Sequence, residues 1–213
     1  MIEKSHAALV LAHTSLGAAP LVPEVKLHLA VEDTPLWLAT ESWLRARDVP
    51  PPFWAFAWPG GQALARHLLD APTAEARVLD LGCGGGLAAI AACLRGATEV
   101  RAVDSDPFAR AAAQLNARAN GVALSLAADI QAEQFHQGLT VLAADVFYDR
   151  ATSDLFLELL TRARAAGARV LAADPRRPYF PTGKFRLLAT YDATTPEGLE
   201  SKPTLKTDVY EMQ

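Results

Sequence analysis

The sequence holds only two cysteines, Cys83 and Cys93, in 213 residues. Their spacing fits no zinc pattern and one pair is no disulfide framework, so a reducing compartment is the simplest reading. A basic surplus is also missing. Twenty Lys and Arg stand against 24 Asp and Glu, a net charge of −4, whereas nucleic-acid-binding domains usually show the opposite balance. No apolar run approaches the ~20 residues of a membrane-spanning helix. The longest early run, Ala7 to Ala12, is too short for a signal-peptide core, and no arginine precedes Arg45, as an Arg-rich transit peptide would require. The five histidines form no metal-spaced pair, and neither a Gly-x-Ser-x-Gly elbow nor a Walker loop occurs. The expectation is a cytosolic protein without metal, nucleic-acid or membrane partners; oligomeric state is not legible.

What is present suffices for a full core, with 51% hydrophobic residues in a chain of this length. One break stands out, Val49-Pro50-Pro51-Pro52, which cannot be helix interior because proline lacks the N–H and clashes with the preceding turn. Before it, Val25–Leu29 reads as a strand. A helix follows, with Thr34 as cap, Pro35 at its first position, and Leu36, Thr40, Trp43 and Leu44 on one side. After it, strands and helices alternate. Helices are expected over Gly61–Leu69, Leu87–Arg95, Pro107–Ala119 and Asp154–Ala166. Strands are expected over Arg77–Leu81, Val100–Val103, Ala123–Leu126, Thr140–Ala143 and Arg169–Ala173. On the Pro107–Ala119 helix, Phe108, Ala112, Leu115 and Ala119 are expected to share a face. That alternation implies an α/β fold, a parallel sheet with helices on both faces. Phe185–Tyr191 and Thr207–Met212 read as a closing antiparallel pair.

The richest segment is Asp80-Leu81-Gly82-Cys83-Gly84-Gly85-Gly86, a glycine cluster at a strand-to-helix turn, where ligands of such sheets bind. Glycine there permits positive φ and close backbone approach. A dinucleotide loop would need a small residue where Leu87 stands; the pattern is instead Gly-x-Gly-x-Gly preceded by an acid. S-adenosylmethionine suits it better, because it carries no phosphate but presents an ammonium, a ribose diol and an adenine. Asp80 can face the ammonium or order water near it, Asp104 can accept from both ribose hydroxyls, and Asp129 from the adenine amino group, with Ile130 packing on the ring. Three acids at the ends of three successive strands favour cofactor binding over simple turn and cap roles.

Beyond this loop the chain resembles the lysine methyltransferases of the electron transfer flavoprotein β-subunit, particularly the bacterial members. The likeness is carried by Ala12-His13-Thr14, Leu21-Val22-Pro23-Glu24, the run from Pro51 to Gly61, the glycine loop, Asp145-Val146-Phe147-Tyr148-Asp149 and Asp174-Pro175. The resemblance implies a doubly wound seven-stranded, mainly parallel sheet with an antiparallel C-terminal strand. It implies a substrate-side extension over residues 1–58 and a cofactor domain over 59–213, and a cytosolic bacterial enzyme. It also implies that Trp58 and its glycines, Gly60 and Gly61, close over the methionine end of the cofactor, and that Asp145 and Tyr148 match an Asp-x-x-Tyr motif beside the transferred methyl. Asp145 is expected to hydrogen-bond and position the acceptor amine, with Phe147 and Tyr148 as pocket walls. Trp54 is either a third, substrate-binding wall or an aromatic packing the extension onto the sheet. Arg176 stands where the pattern has glycine, and Arg176, Arg177 and Lys184 lie near the expected cleft, available to an acidic partner. Alternative acceptors are a ribosomal protein or a small amine such as nicotinamide; a third reading is a non-catalytic methyltransferase-like binding module.

Overall fold

The structure is a computed structural model that describes residues 2–30, 51–71, 75–195 and 202–213. The helix expected around Thr34–Leu44 and the start of the proline break lie outside the described residues. In chain order the elements are α1 (Ile2–His13), β1 (Ser15–Ala19), β2 (Val22–Leu29), a 3-10 turn (Phe53–Ala55), α2 (Pro59–Asp70), β3 (Arg77–Leu81), α3 (Leu87–Leu94), β4 (Glu99–Val103), α4 (Pro107–Ala119), β5 (Ser125–Ala127), β6 (Thr140–Ala144), α5 (Arg150–Ala165), β7 (Arg169–Asp174), a second 3-10 turn (Thr182–Lys184), β8 (Phe185–Thr194) and β9 (Thr204–Met212).

Seven strands form one sheet in the order β5-β4-β3-β6-β7-β9-β8. The first five are parallel, and β9 pairs antiparallel with both β7 and β8. The order reverses between β3 and β6, which opens a crevice beyond their carboxyl ends. Both sheet faces are covered, so the central strands alternate between two cores rather than between core and water. Val141, Ala143, Val170 and Ala172 pack with Phe156, Leu159 and Leu160 of α5. Leu142, Leu171 and Ala173 pack with Leu64 of α2 and Ala88, Ala89 and Ala92 of α3.

Caps fix where the helices start. The Asp106 carboxylate accepts from the N–H of Phe108 at 2.8 Å, with Pro107 at the first position of α4. α5 begins a turn earlier than Asp154, because Asp149 accepts from both the N–H and the hydroxyl of Thr152 at 2.9 Å.

Two parts of the N-terminal region differ from expectation. α1 and β1 form a helix and an antiparallel partner for β2. α1 packs on α4: Val10 is buried with Trp54, Ala109 and Ala112, and the His6 ring meets Phe108 edge-on at 4.5 Å. Consequently α4 is covered on two sides. The residues it buries are Ala109, Ala112, Ala113, Asn116 and Ala117, while Phe108 and Leu115 are half-buried under the extension. Buried Asn116 then works as a rivet, accepting from the N–H of His28 at 2.7 Å and donating to the carbonyl of Gly85 at 2.8 Å.

Candidate active site

The glycine loop joins β3 to α3. Gly82, Gly84 and Gly86 all have positive φ, at 70°, 51° and 81°. A side chain at Gly82 would be strained by that backbone and would meet Phe156 at 3.1 Å and Val146 at 3.2 Å. Asp80, buried at the end of β3, accepts from the N–H of Ala89 at 3.2 Å in the first turn of α3. Burial pushes its carboxyl up to about 7, with the nearby charge of Asp104 adding to the rise. Asp104, just after β4, accepts from Gly84 N at 2.9 Å and Asp106 N at 2.9 Å. Burial raises its carboxyl too, and those two N–H groups oppose the rise. A carboxylate offers about four lone-pair sites, so Asp104 keeps acceptor capacity for a diol.

The segment Phe53–Trp58 lies directly across this loop. The Trp54 Cα is 3.9 Å from where a Cβ on Gly84 would stand, and its carbonyl 3.0 Å from one on Gly85. Gln62 anchors the segment by donating to the carbonyls of Ala57 at 2.6 Å and Thr194 at 2.7 Å. The Trp58 indole donates to the Phe53 carbonyl at 2.7 Å. Between segment and loop runs a cavity lined by Trp54, Trp58, Gly61, Asp80, Gly82, Gly84 and Asp145. Gly86, Asp104, Asp129, Ile130 and Tyr148 lie outside that lining. Asp129 is exposed, one of its oxygens capping a turn through Gln131 N at 2.9 Å, and Ile130 packs against the α5-side core.

At the other end of the cavity stands Asp145. It follows β6 with φ 57°, a conformation uncommon for a non-glycine residue. Its Oδ2 accepts from Gly61 N at 2.8 Å, at the start of α2, and its Oδ1 from the Arg177 guanidinium at 2.7 Å. Burial pushes its carboxyl up, and Arg177 works against that. Gly60 makes the approach possible, since a Cβ there would sit 2.6 Å from Asp145 Oδ2 and 2.7 Å from the Ala173 carbonyl.

Three expected roles are corrected. Phe147 is fully buried, edge-on to Phe180 at 5.0 Å within the core, so its ring has no face open to a substrate. Phe53 takes that place beside half-exposed Tyr148: it is also half exposed, with its ring centroid 6.0 Å from those of both Tyr148 and Trp58. Trp54 is buried and stacked on Phe108, with the planes 13° apart, which is the packing alternative for its side chain. Arg177 turns inward to acids of this chain rather than outward to a partner, whereas Arg176 pairs with an acid and stays exposed. Arg176 pairs with Asp208 at 2.7 and 3.0 Å, and Arg177 with Asp145. Arg176 has φ 66°, which accounts for a glycine at this position in the pattern. Gly60, beside Gly61 after Trp58-Pro59, and Arg177, near the expected cleft, were not expected to meet Asp145. Among the described residues no His, Cys, Asp and Glu cluster could hold a metal ion, and no helix is long and apolar enough to cross a membrane.

The donor set fits S-adenosylmethionine: a glycine-rich turn flanked by a buried acid and by an acid with spare acceptor sites. The family described as ribosomal protein L11 methyltransferase (PrmA) matches residues 63–165. A tRNA (uracil-54, C5)-methyltransferase of Pyrococcus abyssi, solved with S-adenosyl-L-homocysteine, superposes with a TM-score of 0.53 at 19% identity, covering 72% of this chain and 38% of that one. Fold and site together define an S-adenosylmethionine-dependent methyltransferase of the seven-stranded class. The electron transfer flavoprotein β-subunit lysine methyltransferase of Xenopus laevis is 41% identical over 180 residues, 80% of this chain and 70% of that protein. The Mus musculus protein of the same name is 40% identical over 194 residues, 86% of this chain and 73% of that protein. The chain belongs to the electron transfer flavoprotein β-subunit lysine methyltransferase family.

Proposed function

We propose that this chain methylates lysine side chains of the electron transfer flavoprotein β-subunit, with residues 59–213 holding the cofactor and residues 1–58 forming the substrate side. The observation that carries the reading is the shared cavity. The glycine loop and Asp80 line it together with the fixed, nearly buried carboxylate of Asp145 and half-exposed Phe53, whose ring neighbours that of Tyr148. When bound, S-adenosylmethionine supplies a sulfonium methyl that an amine lone pair can take in line.

The residues have to present that amine uncharged and aimed. A free lysine has a pKa near 10.4, so only about one in 2,500 is neutral at pH 7. A partly apolar pocket next to the cationic sulfonium favours the neutral amine. Asp145, both of its oxygens already anchored, accepts an N–H of the neutral amine and sets its direction, which is the orientation term of catalysis. Tyr148 and Phe53 offer ring faces to a partly methylated nitrogen, an arrangement suited to repeated transfer. Asp80, Asp104 and Gly82 to Gly86 hold the cofactor, with Trp58 and Gly61 at its methionine end and Asp129 and Ile130 at the adenine. A cytosolic bacterial setting belongs to this reading through the likeness to the bacterial members.

The match to the ribosomal protein methyltransferase family covers residues 63–165 alone, from α2 to the end of α5. It excludes the Phe53–Trp58 segment and the Arg177 turn that shape the acceptor end. Incubation with cofactor and purified flavoprotein β-subunit, read by intact mass, tests the proposal. Steps of one methyl mapped to lysine are expected; labelling of a ribosomal protein or small amine instead, with the β-subunit untouched, would overturn it.

A further inference from the structure

Arg176 and Arg177 are neighbours in sequence and part company in space. The positive φ of Arg176 reverses the chain just after β7. Its guanidinium turns to Asp208, while that of Arg177 turns inward to 18% exposure, against Asp145 at 2.7 Å. Arg177 is held from its own backbone as well, its N–H donating to Asp174 Oδ1 at 2.6 Å. The other Asp174 oxygen is buried without a hydrogen bond, 3.7 Å from the same guanidinium. One cation thus sits between the fully buried Asp174 and the nearly buried Asp145, of which only Asp145 lines the cavity.

That arrangement answers a difficulty in the proposed reaction. A lone carboxylate beside a lysine stabilises its ammonium form, the form that cannot accept a methyl. Asp145 is useful as an acceptor and harmful as an uncompensated charge. We propose that Arg177 is a positioning residue for methyl transfer: its guanidinium fixes Asp145 and offsets its charge, so that the carboxylate can orient the acceptor amine without holding it protonated. The inference rests on the proposed lysine acceptor.

The groups facing Asp145 are few. Arg177 and Asp174 come from β7 and its turn, and α2 contributes only the N–H groups of Gly60 and Gly61. Asp80, from β3, shares the cavity lining, and Val146 and Phe147 on Asp145's own segment are apolar. Among the described residues, Arg177 is therefore the one cationic side chain here that sets the charge of the carboxylate. Removing it acts in one direction by two routes. Where Asp145 stays ionised, it favours the lysine ammonium. Where it takes up a proton, because burial is no longer opposed, it ceases to be a free acceptor near neutral pH.

The test compares wild type with Arg177→Met, Arg177→Gln and Arg177→Lys in the full chain. Single-turnover transfer to the flavoprotein β-subunit is followed from pH 6 to 9.5, with calorimetric titration of S-adenosylhomocysteine alongside. Arg177→Met and Arg177→Gln are expected to cut the transfer rate at pH 7 by at least about tenfold and to move its rising limb about one unit alkaline. Affinity for S-adenosylhomocysteine should stay within about threefold, and Arg177→Lys should keep the limb near its wild-type position. A second readout needs no acceptor: the 13C-labelled Asp145 carboxyl, assigned through Asp145→Asn, should titrate at higher pH in Arg177→Gln. An unmoved limb with an unmoved carboxyl titration, or a loss of cofactor affinity parallel to the loss of transfer, would overturn the inference. If wild type transfers nothing to the β-subunit, the acceptor reading fails, while the carboxyl titration still decides whether Arg177 sets the charge of Asp145.

Discussion

The two ends of the cleft are built on different plans. The proposed cofactor end comes from one continuous stretch, Asp80 to Ala89, plus Asp104 just after the adjacent strand, and its shape is mainly backbone: three positive-φ glycines and N–H groups donated to acids. The proposed acceptor end comes from three distant stretches, the start of α2, the residue after β6 and the turn after β7, and it is held by side-chain charge. A local backbone site survives changes elsewhere in the chain. A site assembled from charges is sensitive to each partner, and it is where acceptor specificity can be adjusted without touching the cofactor.

Substitutions can break that comparison from either end. The largest effect is expected for Gly60→Ala, where the new Cβ collides with Asp145 and a backbone carbonyl of β7. Overpacking of this kind costs about 1–3 kcal/mol or more, so thermal unfolding should begin several degrees lower and transfer should fall by about 100-fold. Gly61→Ala, whose nearest neighbour is a leucine methyl at 3.8 Å, should retain most of both. Next in size, Gly82→Ala forces a side chain into a left-handed backbone against Phe156. Calorimetry should show cofactor affinity falling by at least about tenfold, as ~1–2 kcal/mol of strain implies.

The third effect is pH-dependent. Burial holds Asp80 up to about 7 in the free protein, and a bound ammonium would favour its ionised form. Affinity for S-adenosylhomocysteine should therefore weaken as pH drops below 7, by up to about tenfold per unit, with proton release on binding visible in buffers of different ionisation enthalpy. Asp80→Asn should flatten that dependence. The same elevation makes the unliganded fold lose stability as pH rises from about 4 to 7, because the carboxyl ionises first in the unfolded chain. The smallest effect is expected for Asp129→Ala. Its side chain is exposed and one oxygen is spent on a turn, so affinity should fall by less than about tenfold, the value of a single modest hydrogen bond.

Legibility in the sequence followed the same division. Arg77–Leu81 and Pro107–Ala119 appear in the structure with the bounds their patterns indicate, because strand periodicity, a capping aspartate and an N1 proline are local signals. The glycine loop was readable for the same reason. α1 was not, since its residues show no strong apolar face and its partner is another helix rather than the sheet. Nor was Asn116, a polar residue whose burial depends on the extension docking above it. Phe147 exchanged its expected duty with Phe53 because side chains just past a strand end point wherever the following turn sends them. Arg177 read as a cleft-side charge for an acidic partner, since its own acids lie 3 and 32 residues away and meet it only after β6 and β7 pair.

The most direct measurement takes Asp145→Asn, which keeps an oxygen for Gly61 N and removes the charge. S-adenosylhomocysteine affinity by calorimetry and methyl transfer to the flavoprotein β-subunit by mass spectrometry are read on the same sample. Affinity within about threefold of wild type, with transfer reduced by at least about 100-fold, is the expected result for a group acting on the acceptor amine alone. Equal loss of both would make Asp145 a cofactor or structural residue and contradict the division of the cleft.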